Sequence, residues 1–225
     1  MVRQLIEKAK NILTPWPRPT KPGAGVIGCI LVGLGLGLTS YATHADVTIA
    51  SWLKQMVPGA DGLGWHAMTQ FGNGAVLLVL AVIVAALVAR RDLQRARVWA
   101  WLGPLSLLAG AAAQLFLKIP FGRPRPKLYP LYDMQWFEFA GSLRGFPSGH
   151  TLTAFFAVGL LWQFYPRLRW LMLGMAVLVG LSRVMVGAHW PGDVIAGAFV
   201  GAACGWWSVR WLNPAEKNRP KETEQ

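Results

Sequence analysis

The chain has 225 residues, 54% hydrophobic and 14% charged, with a mean hydropathy of +0.38, whereas a soluble domain carries about 25% charged residues. Its net charge of +12 raises nucleic acid as a partner, but the basic residues form islands between apolar runs, without interleaved exposed aromatics or a nucleic-acid motif. The composition therefore excludes an ordinary soluble domain and a nucleic-acid binder, and predicts one all-α, polytopic membrane domain.

In chain order, a basic N-terminal tail over 1–22 precedes a membrane domain over 23–212, and a polar, Pro-broken tail follows over 213–225. Six apolar runs are predicted as transmembrane helices, over 23–42, 70–89, 98–117, 148–165, 170–188 and 193–211. A helix rises about 1.5 Å per residue, so about 20 residues cross a hydrocarbon layer of about 30 Å. The first run is expected to be a retained anchor, since its core exceeds the 7–15 residues usual in a signal peptide. Gly33 and Gly37, four apart on it, suit close helix contact within the molecule. Between the first two runs, residues 43–69 hold Asp46, Val47, Ile49, Trp52, Leu53, Met56 and Val57, several of them recurring as in a short interfacial helix covering the bundle. The fifth run has only 13 residues between Arg169 and Arg183, so Arg183 must face protein or water. Cys29 and Cys204 fall inside apolar runs and are read as small hydrophobes.

Lysine and arginine set the orientation. With both termini cytoplasmic, 15 of them lie inside and 7 outside, as the positive-inside rule requires. Trp99, Trp101, Trp162, Trp170 and Trp211 then mark cytoplasmic span ends. Three polar motifs all fall at the opposite, periplasmic or exterior face.

Those motifs carry the chemistry. Lys118 ends the third run, and six residues later come Arg125 and Pro126. Proline holds the residue before it extended, so Arg125 can offer its planar fork to two phosphate oxygens, with Lys118 as a point charge. Pro147-Ser148-Gly149-His150 opens an apolar helix, where unpaired N–H groups face an anion. Gly149 leaves room for phosphate, Ser148 offers a cap or a donor, and His150 can exchange a proton with a leaving oxygen. Ser182-Arg183, five residues, His189, three residues and Asp193 form the third motif. Pro191 suits the first turn of the sixth helix, so Asp193 can fold back to fix the tautomer of His189 and free its other nitrogen for attack on phosphorus.

These segments resemble the KxxxxxxRP, PSGH and SRxxxxxHxxxD signatures of the type-2 phosphatidic acid phosphatase superfamily, over residues 118–193 and in the same order. The resemblance implies a metal-independent phosphatase without cofactor. His189 would be the nucleophile that forms a phosphohistidine, Asp193 its orienting carboxylate and His150 the general acid. Lys118, Arg125, Arg183, Ser148 and Gly149 would bind the phosphate. A lipid phosphate in the bilayer is the expected partner: undecaprenyl diphosphate first, then phosphatidylglycerol phosphate, phosphatidic acid or lipid A. Arg123, two residues short of the motif spacing, is expected as a secondary phosphate contact. Arg144 and Lys127 could meet a second phosphate, and His44 and His66 are expected without partners. The rival readings are a lipid-to-lipid phosphotransferase, an anionic-lipid transporter using the same cations, and a vanadate-dependent peroxidase, which the spans disfavour. The hydrolytic reading predicts a bell-shaped pH dependence.

Overall fold

The structure, a computed structural model, describes residues 23–212 apart from 58, 60, 61, 138 and 140. The tails over 1–22 and 213–225, with their basic residues, lie outside the described residues. Eight α-helices occur in the described part: α1 (Ala24–Ala42), α2 (Ala45–Met56), α3 (Leu63–Gln70), α4 (Gly74–Val88), α5 (Leu93–Ala113), α6 (Gly149–Leu161), α7 (Arg169–Met185) and α8 (Pro191–Leu212). A π-turn over Gln114–Lys118 extends α5. The chain is an all-α, polytopic membrane protein.

Four helical stretches are long and apolar enough to cross a membrane: Ala24–Ala42, Leu93–Lys118, Pro166–Met185 and Pro191–Val209. The apolar run expected as one span over 70–89 is broken instead. Helices α3 and α4 meet at 58°, and Asn73 caps α4 by accepting the Ala75 N–H at 3.0 Å. This pair is a fifth, bent candidate span. The fourth expected span, 148–165, shortens to the 13 residues of α6, because Pro166 opens a separate 3-10 turn before α7. At about 1.5 Å per residue, α6 reaches only about 20 Å.

Helices α6 and α8 form the centre, joined through small residues. A Cβ on Gly197 would stand 2.6 Å from the Ser148 carbonyl oxygen. At the next two turns, Cβ atoms on Gly201 and Gly205 would collide with the Leu152 and Phe156 carbonyl oxygens. Glycine every fourth residue thus lets one backbone lie on the other. Helix α1 packs on the outside of α8, with Gly33 against Phe199 and Gly37 against the Gly192 carbonyl, the intramolecular use expected of that pair. Helix α2 is amphipathic as predicted: Asp46 and Ala50 are buried, while Ile49, Trp52 and Met56 are exposed.

Candidate active site

The site gathers where α5 ends, α6 begins and α7 turns into α8. Lys118 closes the π-turn, and its ammonium lies over the start of α6: a Cβ on Gly149 would be 3.5 Å from Lys118 Nζ. Both residues, with His150, border a cavity of about 360 Å³ that continues between α4, α5 and α6 past Leu107, Gly110 and Thr153. Gly149 therefore keeps open the space beneath the ammonium.

Ser148 is buried at the N-terminus of α6, but its bonding differs from that of a simple cap. Its N–H donates to the Asp193 carbonyl at 2.9 Å, and its Oγ accepts from Thr151 Oγ1 at 2.9 Å. Its side chain makes no cap hydrogen bond to the helix. These bonds stitch α6 to the start of α8, and leave the hydroxyl proton of Ser148 as what it can offer an anion.

Arg183 lies in the last turn of α7 and donates to Thr69 Oγ1 of α3 at 2.6 Å. Thr69 lies in the last turn of α3, just before its break with α4. Past α7, Gly187 adopts φ +65°, a left-handed conformation open to glycine. The N–H groups of Ala188 and His189 both donate to the Arg183 carbonyl, at 3.0 and 3.1 Å. The turn therefore carries His189 back over Arg183 and into the site.

His189 is 2% exposed and Asp193 is fully buried. His189 Nδ1 stands 3.5 Å from Asp193 Oδ2, at the outer limit of a hydrogen bond, and Nδ1 has no other partner. Burial, outweighing the attraction of Asp193, pushes the His189 pKa down to about 4. The imidazole is thereby held neutral, the form a nucleophile needs. Asp193 Oδ2 also accepts the Trp190 N–H at 2.9 Å, and Oδ1 accepts from Arg123 at 2.7 Å.

Arg125, Arg144 and Arg183 all lie within electrostatic range of Lys118, and His150 within range of His189 and of three of these cations. The Nε groups of Arg125, Arg144 and Arg183 are buried without an acceptor. Such a cluster favours a multiply charged anion. Among the described residues no three His, Cys, Asp or Glu side chains converge as a metal-ligand set.

Arg123 departs from its expected role. It is fully buried, bridges Asp46 and Asp193, and lies against the rings of Tyr41 and Tyr132, 5.0 and 5.6 Å from their centroids. It is a neighbour of the carboxylates, not a phosphate contact. His44, expected to be without partners, stacks on Tyr132 with centroids 4.9 Å apart. Lys127 lies beside Gly187. Thr69 stood out in no sequence pattern, and Asp46 only as part of the short interfacial helix, not as a site neighbour. The one signal was an acidic residue inside an otherwise apolar, amphipathic segment.

The sequence profile of the PAP2 superfamily matches residues 99–217, more than half of the chain. The chain belongs to the PAP2 superfamily. A curated relative, the lipid A 1-phosphatase of Rhizobium etli, is 36% identical over 159 residues, covering 63% of this chain. The shared stretch is 66% of that protein, just under two thirds of its own length. The PAP2-type transmembrane phosphatidylglycerolphosphate phosphatase of Bacillus subtilis has a similar fold, with a TM-score of 0.60 at 24% identity over 88% of this chain and 98% of that one. LpxE from Aquifex aeolicus gives 0.58 at 25% identity, over 73% and 94%.

Proposed function

We propose that this PAP2 protein is a metal-independent phosphatase acting on a lipid phosphate or diphosphate through a phosphohistidine. The observation that carries this reading is the buried His189, with Nδ1 facing Asp193 and the ring within electrostatic range of Lys118 and Arg183. Lys118, Arg125 and Arg183 bind the phosphate, with Gly149 and Ser148 at the α6 N-terminus. With Nδ1 turned to Asp193, His189 Nε2 attacks phosphorus. The bond from phosphorus to the lipid oxygen breaks, and His150 gives its proton to that oxygen. Water then attacks the phosphohistidine, His150 takes up a proton, and phosphate leaves.

Among substrates, the 1-phosphate of lipid A moves to first place, because the relative matched over 159 residues carries that name. Undecaprenyl diphosphate, put first by the family resemblance, stands second, and phosphatidylglycerol phosphate and phosphatidic acid follow. The chain crosses the membrane six times on this reading, with α3–α4 as one bent span and α6 as a short one. Both termini lie in the cytoplasm and the site opens to the periplasm or exterior.

The test is phosphate release by the purified protein in detergent with EDTA, over a panel of these lipids. The wild type should release phosphate from at least one, and His189→Ala should lower the rate by at least 10³-fold, within the range for loss of a nucleophile. Activity that needs added magnesium, or that survives His189→Ala, would overturn the proposal. A phosphorylated acceptor lipid in place of free phosphate would identify a phosphotransferase.

A further inference from the structure

We infer that Asp46, on the surface helix α2 and outside the stretch matched by the family profile, is a positioning residue of the active site. Acting through Arg123 and the Gly192 amide, it sets the carboxylate of Asp193 and with it the ring of His189. The inference rests on the hydrolytic reading above.

Both carboxylate oxygens of Asp46 are engaged. Oδ1 accepts the Ser40 hydroxyl at 2.8 Å and the Gly192 N–H at 2.6 Å, and Oδ2 accepts from Arg123. Gly192 immediately precedes Asp193, so Asp46 holds both the backbone that carries Asp193 and the guanidinium that grips it. Asp193 is pinned in turn: Arg123 is on Oδ1 and the Trp190 N–H on Oδ2. A carboxylate fixed at both oxygens cannot rotate, and Oδ2 stays towards His189.

The remaining support for Arg123 is the Tyr132 hydroxyl at 3.2 Å and the two tyrosine rings. Tyr132 donates to the Tyr41 carbonyl at 3.2 Å, so the whole mount is built from α1, α2 and the loop after α5. Asp46, Arg123 and Asp193 are all fully buried. A buried ion triad is a poor source of stability, because desolvation cancels most of the attraction and apolar residues often serve as well. What the triad supplies is a fixed geometry for Asp193.

Asp46→Asn tests this. The amide oxygen can still accept from Ser40 and Gly192, but an NH₂ donor now faces the Arg123 donor, and the negative charge is gone. Arg123 then loses its second carboxylate and shifts on Asp193. The expected result is a kcat about 10–100-fold lower, the scale seen when a supporting partner is removed. KM should stay within about threefold, because Lys118, Arg125 and Arg183 are untouched. On an Asp193→Asn background the same substitution should lower kcat no more than about twofold further, since partners acting as one unit are non-additive. A kcat within twofold of wild type, or a full additional loss on that background, would overturn the inference. If Asp46→Asn does not fold, Arg123→Lys, which keeps the charge but not the fork, enters the same cycle under the same criteria. A wild type silent towards the whole lipid panel would overturn the proposed function and this inference together. An active wild type with an unaffected variant would overturn the inference alone.

Discussion

A histidine that attacks phosphorus must be unprotonated with one ring nitrogen directed outward, and His189 meets both needs by different means. Asp193 Oδ2, 3.5 Å from Nδ1, selects the tautomer. Burial, the larger influence on its charge, depresses the pKa to about 4. The sign follows directly: a base with a lowered pKa is neutral above that value, so the imidazole proposed as nucleophile is free across the neutral range and protonated as pH falls through about 4. The acid limb of the pH profile due to His189 should therefore lie well below the usual histidine value of about 6.5. The ring-carbon NMR resonance of His189, in protein labelled with ¹³C-histidine and assigned by its loss in His189→Asn, should titrate with a midpoint near 4. A midpoint at 6.5 or above would show that burial does not control this imidazole.

The seam between α6 and α8 determines whether these residues meet at all. Helix α6 brings Ser148, Gly149 and His150, α8 brings Asp193, and the two backbones approach through Gly197, Gly201 and Gly205. A methyl group at Gly201 has no flexible neighbour to displace, because it meets the Leu152 carbonyl. Gly201→Ala should therefore cost about 1–3 kcal/mol as an overpacked core. That lowers the melting temperature by about 2–12 °C, with activity falling as His150 and His189 separate. Gly110→Ala, where a Cβ meets nothing within 4 Å, should leave the melting temperature unchanged; equal effects at the two positions would refute the seam. Such contacts were only partly legible in sequence. Runs of apolar residues located α1, α5, α7 and α8, because span length is a one-dimensional property. Hydropathy carries no direction, so the 58° bend within 63–88 went unseen, although Phe71-Gly72-Asn73-Gly74 was a sign of it. The residues proposed to bind phosphate stood out in the sequence because binding an anion calls for charge and free N–H groups at a helix start or loop. The Arg123–Asp46 pair, 77 residues apart, is a tertiary contact that no local pattern announces.

At the scale of the molecule, charge distribution and span geometry must agree on which way the site faces. Fifteen of 22 lysines and arginines fall on one side if both termini are cytoplasmic, and Lys118, Arg125 and Arg183 account for three on the other. The α6 helix, about 20 Å long, is shorter than a hydrocarbon layer of about 30 Å. His150, in its first turn, therefore sits below the outer surface if the other end of α6 reaches the cytoplasmic boundary. On the proposed function a site at that depth suits a phosphate carried on a lipid, and the cavity bordered by Lys118 and His150 runs on between α4, α5 and α6 past Leu107 and Gly110. This arrangement requires the exposed loop around Asp133 and the exposed turn at Arg91 to lie on opposite sides. In a background with Cys29 and Cys204 replaced by serine, Asp133→Cys should react with a membrane-impermeant maleimide on intact spheroplasts. Arg91→Cys should react only after permeabilisation. The reverse pattern would turn the site towards the cytoplasm and void the charge argument, while reaction of both on intact spheroplasts would break the six-span topology.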